Sequence, residues 1–195
     1  MRTFEGQTAV ITGGGTGVGA AVALALAKAG ASVHLVGRTP DKLESVAAKA
    51  RSLGSEATCY SGDLGADSGQ LELTQRLRDL PRVDMLIQNA ARYVAGLIEH
   101  ASLADFDIQY QTNVRAPYTY ILTKALLPML KAQRGQVVFI NSSSGMVAKP
   151  MSAQSPPSAP ETLERLIKNC AAQAALNGGC ERADFPRDFH LRAIS

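Results

Sequence analysis

A glycine-rich stretch at residues 12–19, TGGGTGVG, is the clearest chemical signal in the chain of 195 residues. It follows a short apolar run and opens an alanine-rich helical pattern. Glycine allows positive φ angles and a close approach to a pyrophosphate, and a helix N-terminus presents free N–H groups to an anion. The stretch predicts a nucleotide-binding turn, with a tight turn without a ligand as the alternative. A phosphate loop of the ATPase type is disfavoured because the first lysine, Lys28, comes too late.

Arg38 is the residue that bears on the type of nucleotide. The second apolar run ends in Val-Gly-Arg-Thr, at residues 36–39. A site for NAD usually has a carboxylate here to bind the adenosine ribose, and this chain has none. The forked guanidinium of Arg38 suits a ribose 2′-phosphate. NADP(H) is therefore favoured over NAD(H), and a solvated surface arginine is the alternative.

Four further polar residues are candidates because of their place along the chain. Asp63 and Asn89 follow two apolar runs, and the simpler interpretations are a turn residue and a partner for backbone groups. Asn113 lies inside a helical pattern, where asparagine is unfavourable, so a specific role is favoured. Ser142 follows another apolar run, where ligands bind in parallel sheets, although three consecutive serines are also typical of a loop.

The elements that must position these residues alternate between strands and helices. The strand-like runs are nearly all apolar, which is typical of parallel strands covered on both faces. Helical patterns between them predict βαβ units with right-handed crossovers. We therefore expect a doubly wound α/β sheet with strands at residues 7–12, 32–36, 56–60, 83–88 and 136–141.

A long helical pattern at residues 103–131 has a marked beginning and two interruptions. Ser102 and Asp105 have the spacing of a capping box. Pro117 and Pro128 lie inside the pattern, and each predicts a kink or a break because proline lacks the N–H donor.

The composition changes near residue 150. Residues 1–150 read as a dinucleotide-binding domain, and residues 151–195 as an atypical segment that begins rich in serine and proline. Within that segment we predict one amphipathic helix at residues 161–176, followed by an irregular tail.

Overall composition excludes several classes of protein. Twenty basic against seventeen acidic residues leave no electrostatic signature of nucleic-acid or membrane binding. Cys59, Cys170 and Cys180 have the spacing of neither a disulfide framework nor a zinc site, so no metal is expected. No targeting segment is evident, and a cytoplasmic location is expected.

Together these motifs resemble the short-chain dehydrogenase/reductase family over roughly residues 3–150. The glycine pattern matches in full, Asp63-Leu64 matches the acid-aliphatic pair after the third strand, and QNAA at 88–91 is a degraded form of Asn-Asn-Ala-Gly. Asn113 within TNV, and the stretches at 126–128 and 135–142, continue the match. The resemblance implies a Rossmann-like sheet in the order 3-2-1-4-5, C-terminally truncated.

The family also implies a function and a set of site residues. The function is NADP(H)-dependent hydride transfer between the nicotinamide and a small carbonyl or alcohol substrate, with Ser142 orienting the carbonyl and Asn113 supporting the site. Homo-oligomers through the helix at 103–131 are possible in this family. The expected cofactor-binding residues are Thr12, Gly13, Gly15, Thr16, Gly17, Val18, Gly19, Arg38, Asp63, Leu64, Asn89 and Ala90.

One half of the family's active site has no match. A tyrosine that donates a proton, and a lysine four residues later, would stand near Ser155 and Ala159. No tyrosine follows Tyr120, and Lys149 and Lys168 belong to no Tyr-x-x-x-Lys pattern. We therefore expect impaired activity, because loss of a general acid typically lowers the rate by ~10²–10⁴.

The alternative is a non-catalytic nucleotide-binding or interaction protein. Earlier tyrosines are weak substitutes, and Tyr60 ends a predicted strand. Two origins fit the change of amino-acid composition near residue 150: a divergent or truncated relative, and a change of reading frame near codon 150. The DNA sequence distinguishes them, because only a frame change leaves Tyr-x-x-x-Lys in another frame.

Overall fold

Six parallel strands form one sheet in the part of the chain that the structure, a computed structural model, describes. That part comprises residues 3–93, 102–116, 121–140 and 192–194, with residues 121 and 192–194 described by their backbone alone. The strands are β1 Thr8–Thr12, β2 Ser32–Gly37, β3 Ala57–Ser61, β4 Met85–Gln88, β5 Gln136–Ile140 and β6 Arg192–Ile194. They lie in the order β3-β2-β1-β4-β5-β6.

Helices cover both faces of the sheet. In the described residues they are α1 Gly17–Lys28, α2 Pro40–Ser52, α3 Asp67–Arg78, α4 Leu103–Tyr110 and α5 Ile121–Ala132. Ile11 and Leu35 pack against α1 and α2, whereas Val10 and Leu86 pack on the opposite face against α3 and α5. All four side chains are fully buried, as expected for parallel strands with helices on both faces. Within the described residues, no helix is both long and apolar enough to cross a membrane.

The predicted sheet is confirmed, and the structure extends it. Strands β1 to β5 occur where the apolar runs place them and in the order 3-2-1-4-5. The tail that we expected to be irregular contributes β6, which pairs in parallel with β5. Three residues are too short to show a periodic pattern. The predicted helix at 161–176 lies outside the described residues.

The described part of the long helix is interrupted at residues 111–115, ahead of Pro117. Ser102 and Asp105 form the predicted capping box at the start of α4. After α4 the backbone forms a π-helical turn, Gln111–Arg115, which accommodates one extra residue in the helix. Pro117 itself lies outside the described residues, and Pro128 lies inside α5.

Asp84 joins three strands at their amino ends, whereas the predicted site lies at their carboxyl ends. Its buried carboxylate accepts hydrogen bonds from the Thr8 N–H at 2.8 Å and from two guanidinium nitrogens of Arg82, each at 2.7 Å. Its backbone N–H donates to Thr8, and its carbonyl accepts from Gln136. Asp84 therefore fixes the relative position of β1, β4 and β5.

Replacing Asp84 with asparagine should destabilise the fold while preserving the size of the side chain. Asp84→Asn removes the charge from several hydrogen bonds, so we expect the free energy of unfolding to fall by about 1.5–3 kcal/mol. Urea denaturation measures this change. The control is Asp79→Asn at the exposed end of α3. Its effect should stay within about 0.5 kcal/mol. Equal losses in the two variants would contradict the role of Asp84.

Candidate functional site

The carboxyl ends of β1, β2, β3 and β4 surround one open cleft with a cavity volume of about 170 Å³. Strand β1 lies between β2 and β4. The chain runs from β1 to β2 on one side, and the later connection from β3 leads to β4 on the other side. Ligands of open parallel sheets bind at such a point. The cleft is lined by the turns after these four strands, by the beginning of α2 and by the π-helical turn.

Thr12 and Asn89 hold the ends of β1 and β4 together beneath the cleft. The buried Thr12 Oγ1 accepts the backbone N–H groups of Asn89 at 2.9 Å and Ala90 at 3.0 Å. In return, the Asn89 amide Nδ2 donates to the carbonyls of Thr12 at 3.0 Å and Gly13 at 3.3 Å. Both side chains therefore hold the glycine-rich turn in place from below.

The glycine-rich turn leads directly into α1. Gly13 and Gly17 have φ angles of 67° and 53°, in the region that favours glycine. Thr16 is the N-cap of α1, and its side chain makes no capping hydrogen bond. Because Thr16 lines the cleft, its hydroxyl and the unpaired first N–H groups of α1 form a wall suited to an anion.

Two cations stand where β2 ends and α2 begins. Arg38 and Lys42 both line the cleft, and Thr39 between them is an N-cap whose side chain makes no capping hydrogen bond. Within the described residues, the ion pairs join other side chains, and no carboxylate pairs with Arg38 or Lys42. The single acid in the lining is Asp63. The rim therefore favours an anionic ligand.

Asp63 and Leu64 form the wall contributed by the turn after β3. Asp63 Oδ1 accepts the backbone N–H of Gly65 at 2.8 Å, and Leu64 is buried. The turn is tied to β2 because the Gly62 N–H donates to the Gly37 carbonyl at 2.9 Å. An oriented carboxylate beside a buried aliphatic residue suits a flat ring that carries an N–H donor.

Asn113 joins the π-helical turn to the loop after β4. Its Oδ1 accepts the backbone N–H of Arg92 at 2.7 Å, and its Nδ2 donates to the Arg92 carbonyl at 2.8 Å. Both ends of the amide are therefore used. This explains an asparagine inside a helix, and it positions the loop that follows the cleft.

The structure divides the predicted site residues into groups. Thr12, Asn89 and Asn113 hold the backbone in place. For Asn89 this agrees with the simpler interpretation, a partner for backbone groups. Gly17 and Val18 lie at the start of α1, where Val18 is exposed, and Gly19 packs against the turn. Ser142 lies outside the described residues. The predicted residues that line the cleft are Gly13, Gly15, Thr16, Arg38, Asp63, Leu64 and Ala90.

Sequence reasoning missed other lining residues. Lys42 had a usable signal, because it is a cation in the first turn of the helix that begins just after Arg38. The others contribute backbone or small or apolar side chains and carry no chemical signal of their own. The missed residues are Gly37, Thr39, Lys42, Leu43, Gly62, Ala91 and Thr112.

Tyr60 does not take the part of a proton donor in this cleft. It packs on the α3 face of the sheet, with its hydroxyl 3.3 Å from His34 Nδ1 and its ring under the Arg76 guanidinium. Burial raises the pKa of the Tyr60 phenol, whereas a catalytic phenol needs a lowered one. Burial also lowers the pKa of His34. Among the described residues, no cluster of three or more His, Cys, Asp or Glu side chains is arranged to hold a metal ion.

Comparison with known proteins identifies relatives of this arrangement. A family model described as short chain dehydrogenase matches residues 7–158. An uncharacterized oxidoreductase from Thermotoga maritima is 31% identical over 148 residues, which cover 75% of this chain and 58% of that protein.

Two solved structures share the fold. A short chain dehydrogenase from Burkholderia cenocepacia in complex with NADP is 25% identical, with a TM-score of 0.74 over 86% of this chain and 65% of that one. An NAD+-bound xylitol dehydrogenase is also 25% identical, with a TM-score of 0.72 over 86% of this chain and 61% of that one. The chain thus spans less than two thirds of each of these three proteins.

Gly19 should tolerate no side chain. A Cβ at this position would overlap the Gly13 carbonyl oxygen and lie 2.5 Å from Asn89 Nδ2. Gly19→Ala should therefore displace the turn and cost about 1–3 kcal/mol of unfolding free energy, measured by urea denaturation. Gly15→Ala is the control, because its nearest neighbours lie 3.3 Å away. An alanine at Gly15 as costly as one at Gly19 would refute this account.

Proposed function

Because the chain belongs to the short chain dehydrogenase family, we propose that its cleft binds NADP(H), and that the whole protein is an oxidoreductase acting on a carbonyl or alcohol substrate. The observation that carries the proposal is the cleft itself. It combines an open helix N-terminus, a glycine-rich turn and two cations that pair with no carboxylate among the described residues, at the point where the strand order reverses.

The residues present fit the pyrophosphate, the adenine and the 2′-phosphate of a dinucleotide phosphate. The glycine turn and the first N–H groups of α1 would hold the pyrophosphate. Asp63 and Leu64 would hold the adenine, with the Asp63 carboxylate accepting its amine. Arg38 and Lys42 would hold the 2′-phosphate. When bound, the nicotinamide supplies or accepts hydride. The protein's own contribution is to bind, orient and position.

NADP(H) rather than NAD(H) is the cofactor that we propose. The solved relatives include one bound to each cofactor, so the choice depends on the residues of this chain. A ribose 2′-hydroxyl is usually bound by an acceptor carboxylate at the end of this strand, and residues 36–39 include none. Arg38 and Lys42 instead place two positive charges there, which favours a dianionic phosphate.

Catalysis is the part that we propose to be impaired. Asn113 positions the loop beside the cleft, and Ser142 would orient a carbonyl, but a serine alone protonates an alkoxide poorly. No Tyr-x-x-x-Lys pattern follows Ser142 in the sequence, because the one such spacing, Tyr120 with Lys124, comes before β5, and Tyr60 packs away from the cleft. These two observations favour a second candidate function, nucleotide binding without turnover.

Reversing the charge of Arg38 tests the choice of cofactor. Arg38→Asp should weaken NADPH binding by at least about tenfold, because a charge-assisted hydrogen bond is worth ~1.5–3 kcal/mol, and it should affect NADH far less. Fluorescence titration of the two nucleotides measures both affinities. Arg78→Asp at the end of α3, outside the cleft, is the matched control. Equal losses for NADPH and NADH would reject the 2′-phosphate assignment, and binding of neither by the unmodified chain would reject the nucleotide site.

Turnover distinguishes the impaired enzyme from a competent one. We expect saturable NADPH binding. Over a panel of aldehydes and ketones, the unmodified chain should oxidise NADPH no faster than the Arg38→Asp variant does. The reason is the missing general acid, which typically contributes ~10²–10⁴ in rate. Stopped-flow or steady-state absorbance of NADPH provides the measurement. Rapid turnover that Ser142→Ala abolishes would show that another residue completes the site, and would overturn the impairment.

A further inference from the structure

Gln70 is a buried amide with an unusual environment. It lies on α3, is only 2% exposed, and belongs to the same buried helix face as Leu73 and Leu77. Its Nε2 donates to the Leu64 carbonyl at 2.7 Å, whereas its Oε1 has no partner among the described residues. A buried unpaired oxygen is costly, so packing alone would favour an apolar residue here.

The hydrogen bond of Gln70 ends on the turn that forms the adenine wall of the cleft. The carbonyl that it binds belongs to the peptide unit between Leu64 and Gly65. The N–H of that same peptide unit donates to Asp63 Oδ1 at 2.8 Å. A peptide unit is planar and rigid, so holding its C=O also fixes the direction of its N–H. The orientation of the Asp63 carboxylate therefore depends on Gln70.

The surroundings leave the backbone of this turn little room. A Cβ on Gly65 would lie 2.8 Å from Thr112 Oγ1, and a Cβ on Gly69 would overlap the backbone of Asp63. The turn is thus packed between the π-helical turn and the first turn of α3. Gln70 supplies the polar contact that sets its rotation within that space.

We infer that Gln70 is a positioning residue: through the Leu64–Gly65 peptide it orients Asp63 to accept the amine of an adenine, and so gives the cleft its preference for adenine over other bases. This inference rests on the proposed binding of NADP(H). It concerns one contact, between the Asp63 carboxylate and the exocyclic amine. An analogue whose base is hypoxanthine has a carbonyl in place of that amine and does not make the contact.

The experiment compares NADPH with its hypoxanthine analogue in four proteins. The unmodified chain should bind NADPH more tightly. Gln70→Met, which keeps the length of the side chain and removes the N–H donor, should reduce that preference by about fivefold, as expected for the loss of one oriented hydrogen bond. Asp63→Ala should abolish the preference. Thr74→Val is the matched control, because Thr74 lies one turn further along α3, is similarly buried, and has a hydroxyl with no hydrogen-bond partner among the described residues.

Each result has a defined meaning. A purely structural role of Gln70 would change the melting temperature and both affinities together, and leave their ratio unaltered. An unchanged ratio in Gln70→Met, with NADPH still bound, overturns this inference and leaves the proposed function intact. Failure of the unmodified chain to bind either nucleotide overturns both. Gln70→Leu provides the same comparison where the methionine variant does not fold.

Discussion

The buried hydroxyl of Thr12 connects β1 and β4, the two parallel strands at which the order of the strands in the sheet reverses. It accepts two backbone N–H groups from the turn after β4, and the Asn89 amide returns two hydrogen bonds to the turn after β1. The cleft exists because these two turns are held side by side while their helices diverge. Asp84 provides the corresponding connection at the amino ends of β1, β4 and β5.

Binding and reaction place different demands on such a scaffold. The residues that would hold a nucleotide come from β1, β2, β3 and the elements that follow them, where the chain is well packed. The residues that would move a proton belong, by family resemblance, to the region after β5. A chain of this kind can therefore bind a nucleotide without a complete set of reactive groups, and the two properties have to be measured separately.

Local signals account for most of what the sequence predicted correctly. The strands are continuous apolar runs, the glycine turn needs positive φ at fixed positions, and the Ser102–Asp105 capping box is a contact across three residues. Each depends on neighbours in the chain. Together they determine the sheet and the location of the cleft.

Tertiary contacts account for what was missed. Gln70 is a polar residue on a helix and looks like a surface residue, because only the packing of α3 against the rest of the fold buries it. Lys42 belongs to the cleft because the first turn of α2 packs against the glycine-rich turn at Gly15. Strand β6 pairs with a strand more than fifty residues away in sequence and is too short to carry a pattern.

The π-helical turn gives the long helix two independent phases. One extra residue rotates the position that follows it by about 100° around the helix axis, since an α-helix has 3.6 residues per turn. Before the turn, α4 leaves Leu103 and Tyr110 exposed, whereas within it Thr112 and Val114 are buried. A single-residue deletion in the turn would remove that rotation, and it would change which side chains next to Asn113 are buried.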